Sequence, residues 1–150
     1  SDWAVHVALY SKGNPLVGAV ALPSLGKTFS TLSPPQTPLP SDRIKIVYSR
    51  TRSVPIAEFL SEKMNAELLR MGSAGAKAMA VIEGDADIYV HSGGQYEWDN
   101  CAPVAVALAS GIYASRLDGT PLSYNQMNLY VPDLLICRKE LADPILTLLR

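Results

Sequence analysis

The sequence predicts an α/β fold, a layered body in which strands alternate with helices along the chain. Short β-rich runs at Ile44–Tyr48 and Asp87–His91 indicate strands. The segments Ala74–Ile82 and Ala102–Ser110 are small and apolar nearly all round, which is typical of helices buried between layers. Apolar residues make up 48% of the 150 residues and charged residues 18%, so the chain can bury a substantial core.

The first 32 residues predict a β-hairpin and a further short strand. In Val5–Leu9, the large aliphatic residues Val5, Val7 and Leu9 alternate with His6 and Ala8, which is the period of two expected of a strand. The turn at Lys12–Pro15 then leads into a returning strand at Leu16–Leu22. A third strand is predicted at Lys27–Leu32. Because this hairpin does not fit onto the alternating α/β body, residues 1–32 are assigned to the sheet of a missing N-terminal half.

Residues 33–41 contain four prolines and predict a Pro-rich linker, since proline interrupts both helices and sheets. Residues 42–150 are then the C-terminal α/β domain. Besides the two strands named above, it has predicted strands at Leu68–Met71, Tyr113–Leu117 and Leu134–Cys137, and a loop at Gly93-Gly94. Its helices are predicted to begin at Pro55, Ala74, Ala102 and Pro144.

Charge and hydropathy exclude several classes of partner. The net charge is −1, with 13 basic and 14 acidic residues in no long blocks, which argues against a nucleic-acid polymer. No apolar run approaches the roughly 20 residues that span a bilayer, so no membrane partner is expected. Cys101 and Cys137 form no paired motif, which favours free thiols and a cytoplasmic location. A small phosphorylated ligand, which needs only a few local cations, remains allowed.

The segment Gly72–Lys77 is the first of three polar clusters that follow predicted strands. Ser73 is a natural helix N-cap, two glycines would let a ligand approach the backbone, and a helix N-terminus attracts anions. Lys77 would add a positive charge. The alternative is a simple cap followed by a lysine that points to solvent, although the other residues of this helix are almost all apolar.

Asp99, in the second cluster, has two interpretations. It lies near a helix start, where a carboxylate commonly caps the backbone, and it could equally bind Mg²⁺, which prefers a few carboxylates plus phosphate oxygens. The third cluster contains Ser49, Arg50 and Arg52, which could hold a phosphate by forked hydrogen bonds or form a solvated loop. His91 follows a strand and, taken alone, favours a structural role. No second carboxylate cluster is evident, so the residues indicate a phosphate-binding half-site.

Four segments follow one another in the order Gly72–Lys77, Val81–Tyr89, Glu97–Pro103 and Asp118–Asn125. Together they resemble a block of the CysQ-type 3′(2′),5′-bisphosphate nucleotidases of the inositol monophosphatase superfamily, most strongly the actinobacterial branch. The resemblance implies the layered α/β fold of that superfamily and Mg²⁺-dependent hydrolysis of 3′-phosphoadenosine 5′-phosphate. Inositol phosphates or fructose 1,6-bisphosphate are alternative substrates, and homodimers are common in the superfamily.

The resemblance also assigns roles to the predicted site residues. Asp99 becomes the catalytic metal ligand, and Ser73 and Lys77 bind the substrate phosphate. The segment with Ser49, Arg50 and Arg52 becomes a nucleotide contact, as does His91. Arg52 stands where relatives carry histidine, and His91 where several carry arginine, which leaves the preferred substrate open.

The first metal motif of the family, Asp-Pro-[Ile/Leu]-Asp-Gly-Thr, is absent; the only Asp-Gly-Thr, at Asp118–Thr120, belongs to a later turn. We therefore expect this chain to be the C-terminal part of the enzyme, with the N-terminal half as its partner, and to bind Mg²⁺ weakly alone. The alternative from another class is a non-catalytic phosphate-binding module that lacks the metal centre.

Overall fold

The computed structural model describes residues 2–40 and 42–150. Within them the strands are β1 (Val5–Ser11), β2 (Asn14–Leu22), β3 (Lys27–Ser30), β4 (Lys45–Ser49), β5 (Glu67–Met71), β6 (Ile88–Tyr96), β7 (Tyr113–Ser115) and β8 (Tyr130–Cys137). The α-helices are α1 (Pro55–Met64), α2 (Ala74–Glu83), α3 (Glu97–Ala109) and α4 (Ala142–Leu148). None of the helices in these residues has the length and apolar run needed to cross a bilayer. The outer ends of the predicted ranges 1–32 and 33–41, Ser1 and Ser41, lie outside the described residues.

Two sheets organise the structure. The first is antiparallel, in the order β1-β2-β3, and the second has five strands in the order β5-β4-β6-β8-β7. In the second sheet β4 runs parallel to β5 and β6, whereas β8 runs antiparallel to β6 and β7. The α/β class predicted from the alternating pattern is therefore confirmed.

The sheets and helices stack in four layers. Helices α2 and α3 lie between the two sheets, and one hydrophobic core joins Val20 and Phe29 of the first sheet to both helices and to Tyr89 of the second sheet. A second core on the far face of the five-stranded sheet packs α1 and α4 through residues such as Leu60 and Ile145. The hairpin thus packs against the α/β body, while the division of the chain at residues 33–41 stays a prediction.

A buried ion pair fastens the proline-rich stretch to the second sheet. Arg138 Nε donates to Asp87 Oδ1 at 2.6 Å, and its terminal nitrogens donate to the carbonyl oxygens of Pro38 and Leu39 at 2.7 and 3.3 Å. The other Asp87 oxygen accepts from the Lys45 amide at 2.9 Å. Both charged groups are buried and hydrogen-bonded, so the contacts of Arg138 hold the proline-rich stretch against the second sheet.

Two boundary predictions near the centre of the chain were wrong. Helix α3 begins at Glu97, not at Ala102. The prediction started too late because the first turn of this helix is polar and shows no apolar periodicity. Gly93 and Gly94 form no separate loop; they lie within β6, where the register shifts between Ser92 and Gln95. Their φ angles of +75° and +74° suit glycine and allow the strand to bulge and continue.

Gly18 allows the first sheet to approach α3 closely. A Cβ at this position would lie 2.7 Å from the Ala105 Cβ and 3.0 Å from the Ala102 carbonyl oxygen. We expect Gly18→Ala to lower the free energy of unfolding by about 1–3 kcal/mol through overpacking, as measured by urea denaturation. The control Val17→Ala, on the exposed face of the same strand, should cost much less. An equal loss in both variants would contradict the packing argument.

Candidate active site

Five of the residues predicted for the site line one small cavity, here called the inner cavity. Its volume is about 130 Å³, and Gln95 joins the predicted residues Ser49, Arg52, Lys77, His91 and Asp99 in its wall. They come from the end of β4 and the loop after it, from β6, and from the first turns of α2 and α3. The fold therefore brings together three polar clusters that are far apart in the sequence.

Lys77 is buried in the first turn of α2, with 4% of its surface exposed. Its ammonium group donates to the Ser73 carbonyl oxygen at 2.7 Å and lies 5.2 Å from the centre of the Tyr89 ring. Burial lowers the pKa of Lys77 to about 8, and the charge of Arg52 also lowers it, against the opposing effect of Asp2. The alternative of a lysine that points to solvent is wrong. An ammonium group has three donors, so further N–H groups remain for a ligand in the cavity.

Ser73 acts in the structure as the N-cap of α2. Its hydroxyl oxygen accepts from the Ala76 amide at 3.4 Å, and its backbone has a positive φ of 53°. It does not line the inner cavity, so any contribution to ligand binding passes through the helix start and through the carbonyl that holds Lys77.

The glycines of the Gly72–Lys77 segment are approached by side chains of this chain. A Cβ on Gly75 would overlap the His6 imidazole, and a Cβ on Gly72 would lie 2.8 Å from the Arg50 guanidinium. Packing therefore favours a residue without a side chain at Gly75, whereas the group near Gly72 is the end of a flexible side chain. The prediction that these glycines serve the approach of a ligand finds no support in these contacts.

The geometry of Asp99 fits both a helix cap and a metal ligand. It is the third residue of α3, and its Oδ2 accepts from the Tyr96 amide at 2.8 Å, which caps the helix. Among the described residues its Oδ1 has no hydrogen-bond partner, and the side chain lines the inner cavity. The cap therefore orients the carboxylate and leaves one oxygen available to a ligand.

His91 is buried, with 3% of its surface exposed, and neither ring nitrogen has a hydrogen-bond partner of good geometry within the described residues. Burial lowers its pKa; the charges of Lys77 and Arg52 lower it further, and the nearby backbone of Gly93 offsets only part of this. A neutral imidazole carries one donor and one acceptor. Unsatisfied buried polar groups are costly, so this side chain is suited to a ligand that enters the cavity.

The two arginines of the third cluster point to different places. Arg52 Nη1 donates to the carbonyl oxygens of Gly94 at 2.5 Å and Gly93 at 3.4 Å, and the side chain lines the inner cavity. Arg50 lies outside that cavity and pairs with Asp2 at 2.9 Å. Asp2 also accepts from the Gly72 amide at 2.8 Å, a role that no local pattern in the sequence indicates.

A buried chain of hydrogen bonds lies beneath the inner cavity and was not predicted. The Asn100 amide donates to Gln95 Oε1 at 2.9 Å, and the Gln95 amide donates to the Tyr89 hydroxyl at 2.6 Å. Tyr89 is the ring that faces the Lys77 ammonium group. A strand prediction extended beyond Gly94 would have pointed to Gln95, because a polar residue on the buried face of a strand requires a partner.

The residues that line the inner cavity could supply one protein ligand to a magnesium ion. Asp99 is its only carboxylate, and no group of three or more histidine, cysteine, aspartate or glutamate residues within the described chain could hold a metal ion. Mg²⁺ is commonly bound by one or two carboxylates together with waters and substrate phosphates. Asp99 fits this pattern as one ligand among several.

Comparison with curated proteins gives close relatives. The chain is 46% identical to the 3′-phosphoadenosine 5′-phosphate phosphatase of Mycobacterium bovis, over 97% of this chain and 57% of that protein. It is 42% identical to the protein of the same name from Mycobacterium leprae, over 100% of this chain and 60% of the relative. The chain thus spans less than two thirds of the length of these relatives.

Solved structures share the fold. CysQ from Bacteroides thetaiotaomicron, described as a bacterial member of the inositol monophosphatase family, superposes with a TM-score of 0.78 at 24% identity, over 91% of this chain and 62% of that one. The inositol monophosphatase of Thermotoga maritima gives a TM-score of 0.76 at 15% identity, over 97% and 60%. The model of the inositol monophosphatase family matches residues 1–150. The chain therefore belongs to the inositol monophosphatase family.

Proposed function

We propose that the protein is a Mg²⁺-dependent phosphatase that hydrolyses 3′-phosphoadenosine 5′-phosphate to AMP and phosphate. The observation that carries the proposal is the inner cavity, where Lys77, Arg52 and His91 face the same small space as the free oxygen of Asp99. The names of the mycobacterial relatives support the choice of substrate. Cationic side chains can bind the oxygens of a phosphomonoester, and a carboxylate beside them can bind the metal ion that also contacts the phosphate.

In this proposal, each residue of the inner cavity makes a different contact with the scissile phosphate. Lys77 neutralises charge on a phosphoryl oxygen, and its buried position makes that interaction stronger than it would be in water. Arg52, held by the carbonyl groups of β6, presents its remaining N–H groups to a second oxygen. His91 donates one hydrogen bond from a neutral ring, so it adds direction without adding charge.

Asp99 would hold the metal ion through its Oδ1, while its Oδ2 stays on the Tyr96 amide. Magnesium, when bound, activates water and stabilises charge on the phosphoryl group. Since Asp99 is the only carboxylate among the described residues that line the inner cavity, we propose that residues outside these 150, in an N-terminal half, supply further ligands. The proposed location is the cytoplasm, consistent with free Cys101 and Cys137; a homodimer also stays a prediction.

The substrate is tested with protein produced from the complete reading frame that contains this chain. Initial rates are compared on 3′-phosphoadenosine 5′-phosphate, inositol 1-phosphate and fructose 1,6-bisphosphate, with Mg²⁺ and with EDTA. We expect kcat/KM to be at least about tenfold higher for the nucleotide and all rates to fall with EDTA. Equal or greater activity on inositol 1-phosphate would refute the choice of substrate, and no hydrolysis of any of them would favour a non-catalytic phosphate-binding module.

A further inference from the structure

The ammonium group of Lys77 carries its charge at a place that water can hardly reach. The side chain is 4% exposed, and its hydrogen bond to the Ser73 carbonyl oxygen is 2.7 Å long. Burial lowers the pKa of Lys77 to about 8. An ammonium group has three N–H donors, so one carbonyl oxygen does not replace the water that it has lost. Any further group that attracts a cation here would favour the charged form.

The charged side chains around this ammonium group act in opposite directions. Two carboxylates favour the charged form of Lys77, and two guanidinium groups disfavour it. The carboxylates are those of Asp2 and Asp99, and the guanidinium groups are those of Arg50 and Arg52. His91 of β6 adds no charge near pH 7, because burial lowers its pKa. Since the pKa of Lys77 stays well below its ordinary value of 10.5, these side chains do not offset the effect of burial.

The ring of Tyr89 supplies an attraction of another kind. The Lys77 Nζ lies over this ring, 5.2 Å from its centre, which is within the range where the negative face of an aromatic ring attracts a cation. Tyr89 is fully buried, so water screens this attraction little. Burial also raises the pKa of the Tyr89 hydroxyl. The ring is therefore neutral, and the attraction comes from its face and not from a phenolate.

The buried chain of hydrogen bonds beneath the inner cavity holds this ring. The Tyr89 hydroxyl accepts from the Gln95 amide at 2.6 Å, and Gln95 Oε1 accepts from the Asn100 amide at 2.9 Å. Gln95 is 5% exposed and Asn100 is fully buried. Because Tyr89 lies on β6 and Asn100 on α3, the chain joins the ring to two elements that form the cavity wall. The ring face is thereby held towards Lys77.

We propose that Tyr89 is a positioning residue, whose ring face keeps the Lys77 ammonium group charged and in place to bind a phosphate in the inner cavity. This inference rests on the proposed function, which gives the charge of Lys77 its use. Tyr89 is not among the residues that line the inner cavity, so it acts through Lys77. Phenylalanine has a similar ring face. The hydroxyl should therefore matter for stability, through Gln95, and the ring for Lys77.

The test changes the electron density of the ring with little change in its size. In the protein from the complete reading frame, Tyr89→Phe is compared with variants that carry, at the same position, phenylalanine with one, two or three ring fluorines. Ring fluorines weaken the attraction of the ring face for a cation. The pKa of Lys77 is measured without substrate by NMR of isotope-labelled lysine side chains, and Lys77→Met identifies its signal. The pH profile of kcat/KM is measured on 3′-phosphoadenosine 5′-phosphate.

We expect Tyr89→Phe to keep the wild-type Lys77 pKa and pH profile, while urea denaturation shows a loss of stability. Relative to Tyr89→Phe, three fluorines should lower the Lys77 pKa by about 0.5–1, with smaller effects for one and two. The alkaline limb of the profile should move with it, so that kcat/KM above the Lys77 pKa falls by about three- to tenfold. The same fluorinated residues at Tyr113, which packs against the second core, should leave the Lys77 pKa unchanged.

The outcomes separate this inference from the proposed function. A Lys77 pKa that is constant across the series at position 89, or that falls equally with the series at position 113, would overturn the role of Tyr89. So would a pKa that falls while the pH profile of kcat/KM stays the same, because the charge would then not serve the substrate. If the wild-type protein hydrolyses no phosphomonoester, the proposed function fails, and the NMR titration still decides whether the Tyr89 ring keeps Lys77 charged.

Discussion

Replacing Asp99 by asparagine is expected to lower kcat of the protein from the complete reading frame by at least about 10²-fold, with little change in stability. The amide keeps an oxygen that can accept from the Tyr96 amide, so the helix cap survives. It loses the negative charge that a magnesium ligand requires. The measurements are initial rates on 3′-phosphoadenosine 5′-phosphate over a range of Mg²⁺ concentrations and urea denaturation of the same preparation.

The variant Asp99→Ala separates the two interpretations of this residue. It removes the cap as well as the carboxylate, so it should lose activity and also about 1 kcal/mol of the free energy of unfolding. Asp118→Asn, which makes the same change at an exposed carboxylate outside the inner cavity, serves as the control. If Asp99→Asn keeps wild-type activity, Asp99 is a helix cap only, and the proposed metal ligand must be sought elsewhere.

Local patterns in the sequence predicted the elements that carry the site. The alternation in Val5–Leu9 indicated a strand, and the strand forms there although Val5, Val7 and Leu9 are exposed in the described structure. The apolar run Ala74–Ile82 indicated a buried helix, because a helix that is apolar nearly all round is covered on all sides. Lys77 is an exception on such an apolar helix, and the structure shows it to be buried. These inferences needed only residues close together in the chain.

The contact partners of the polar residues could not be predicted in this way. It depends on contacts between distant segments, such as the hydrogen bond from the Gly72 amide to Asp2, which are 70 residues apart. Arg50 and Arg52 are separated by one residue, yet one pairs with Asp2 and the other with the carbonyl oxygen of Gly94.

Lys77→Met is expected to change activity and stability in opposite directions. Removing the ammonium group from the inner cavity should lower kcat/KM by about 10²-fold, since a buried charge on a phosphate has no substitute there. At pH 7 the same change should raise the free energy of unfolding by about 1–3 kcal/mol, because a methionine has no charge to desolvate. The lost hydrogen bond to the Ser73 carbonyl keeps the gain below the full cost of burying the charge.

The pH dependence of stability distinguishes this explanation from a better-packed core. The pKa of Lys77 is about 8 in the folded protein and 10.5 ordinarily, so between these values the unfolded chain binds more protons than the folded one. The wild-type protein therefore gains stability as the pH rises from 8 towards 10.5, and its difference from Lys77→Met shrinks.

Lys139→Met, at an exposed position, is the matched control and should show no such convergence. A difference between the Lys77→Met and wild-type proteins that stays constant from pH 7 to pH 10 would show that the ammonium group costs nothing to bury. In that case the loss of activity could no longer be attributed to a desolvated charge. Convergence together with the loss of activity would identify Lys77 as a residue whose burial costs stability because substrate binding requires its charge.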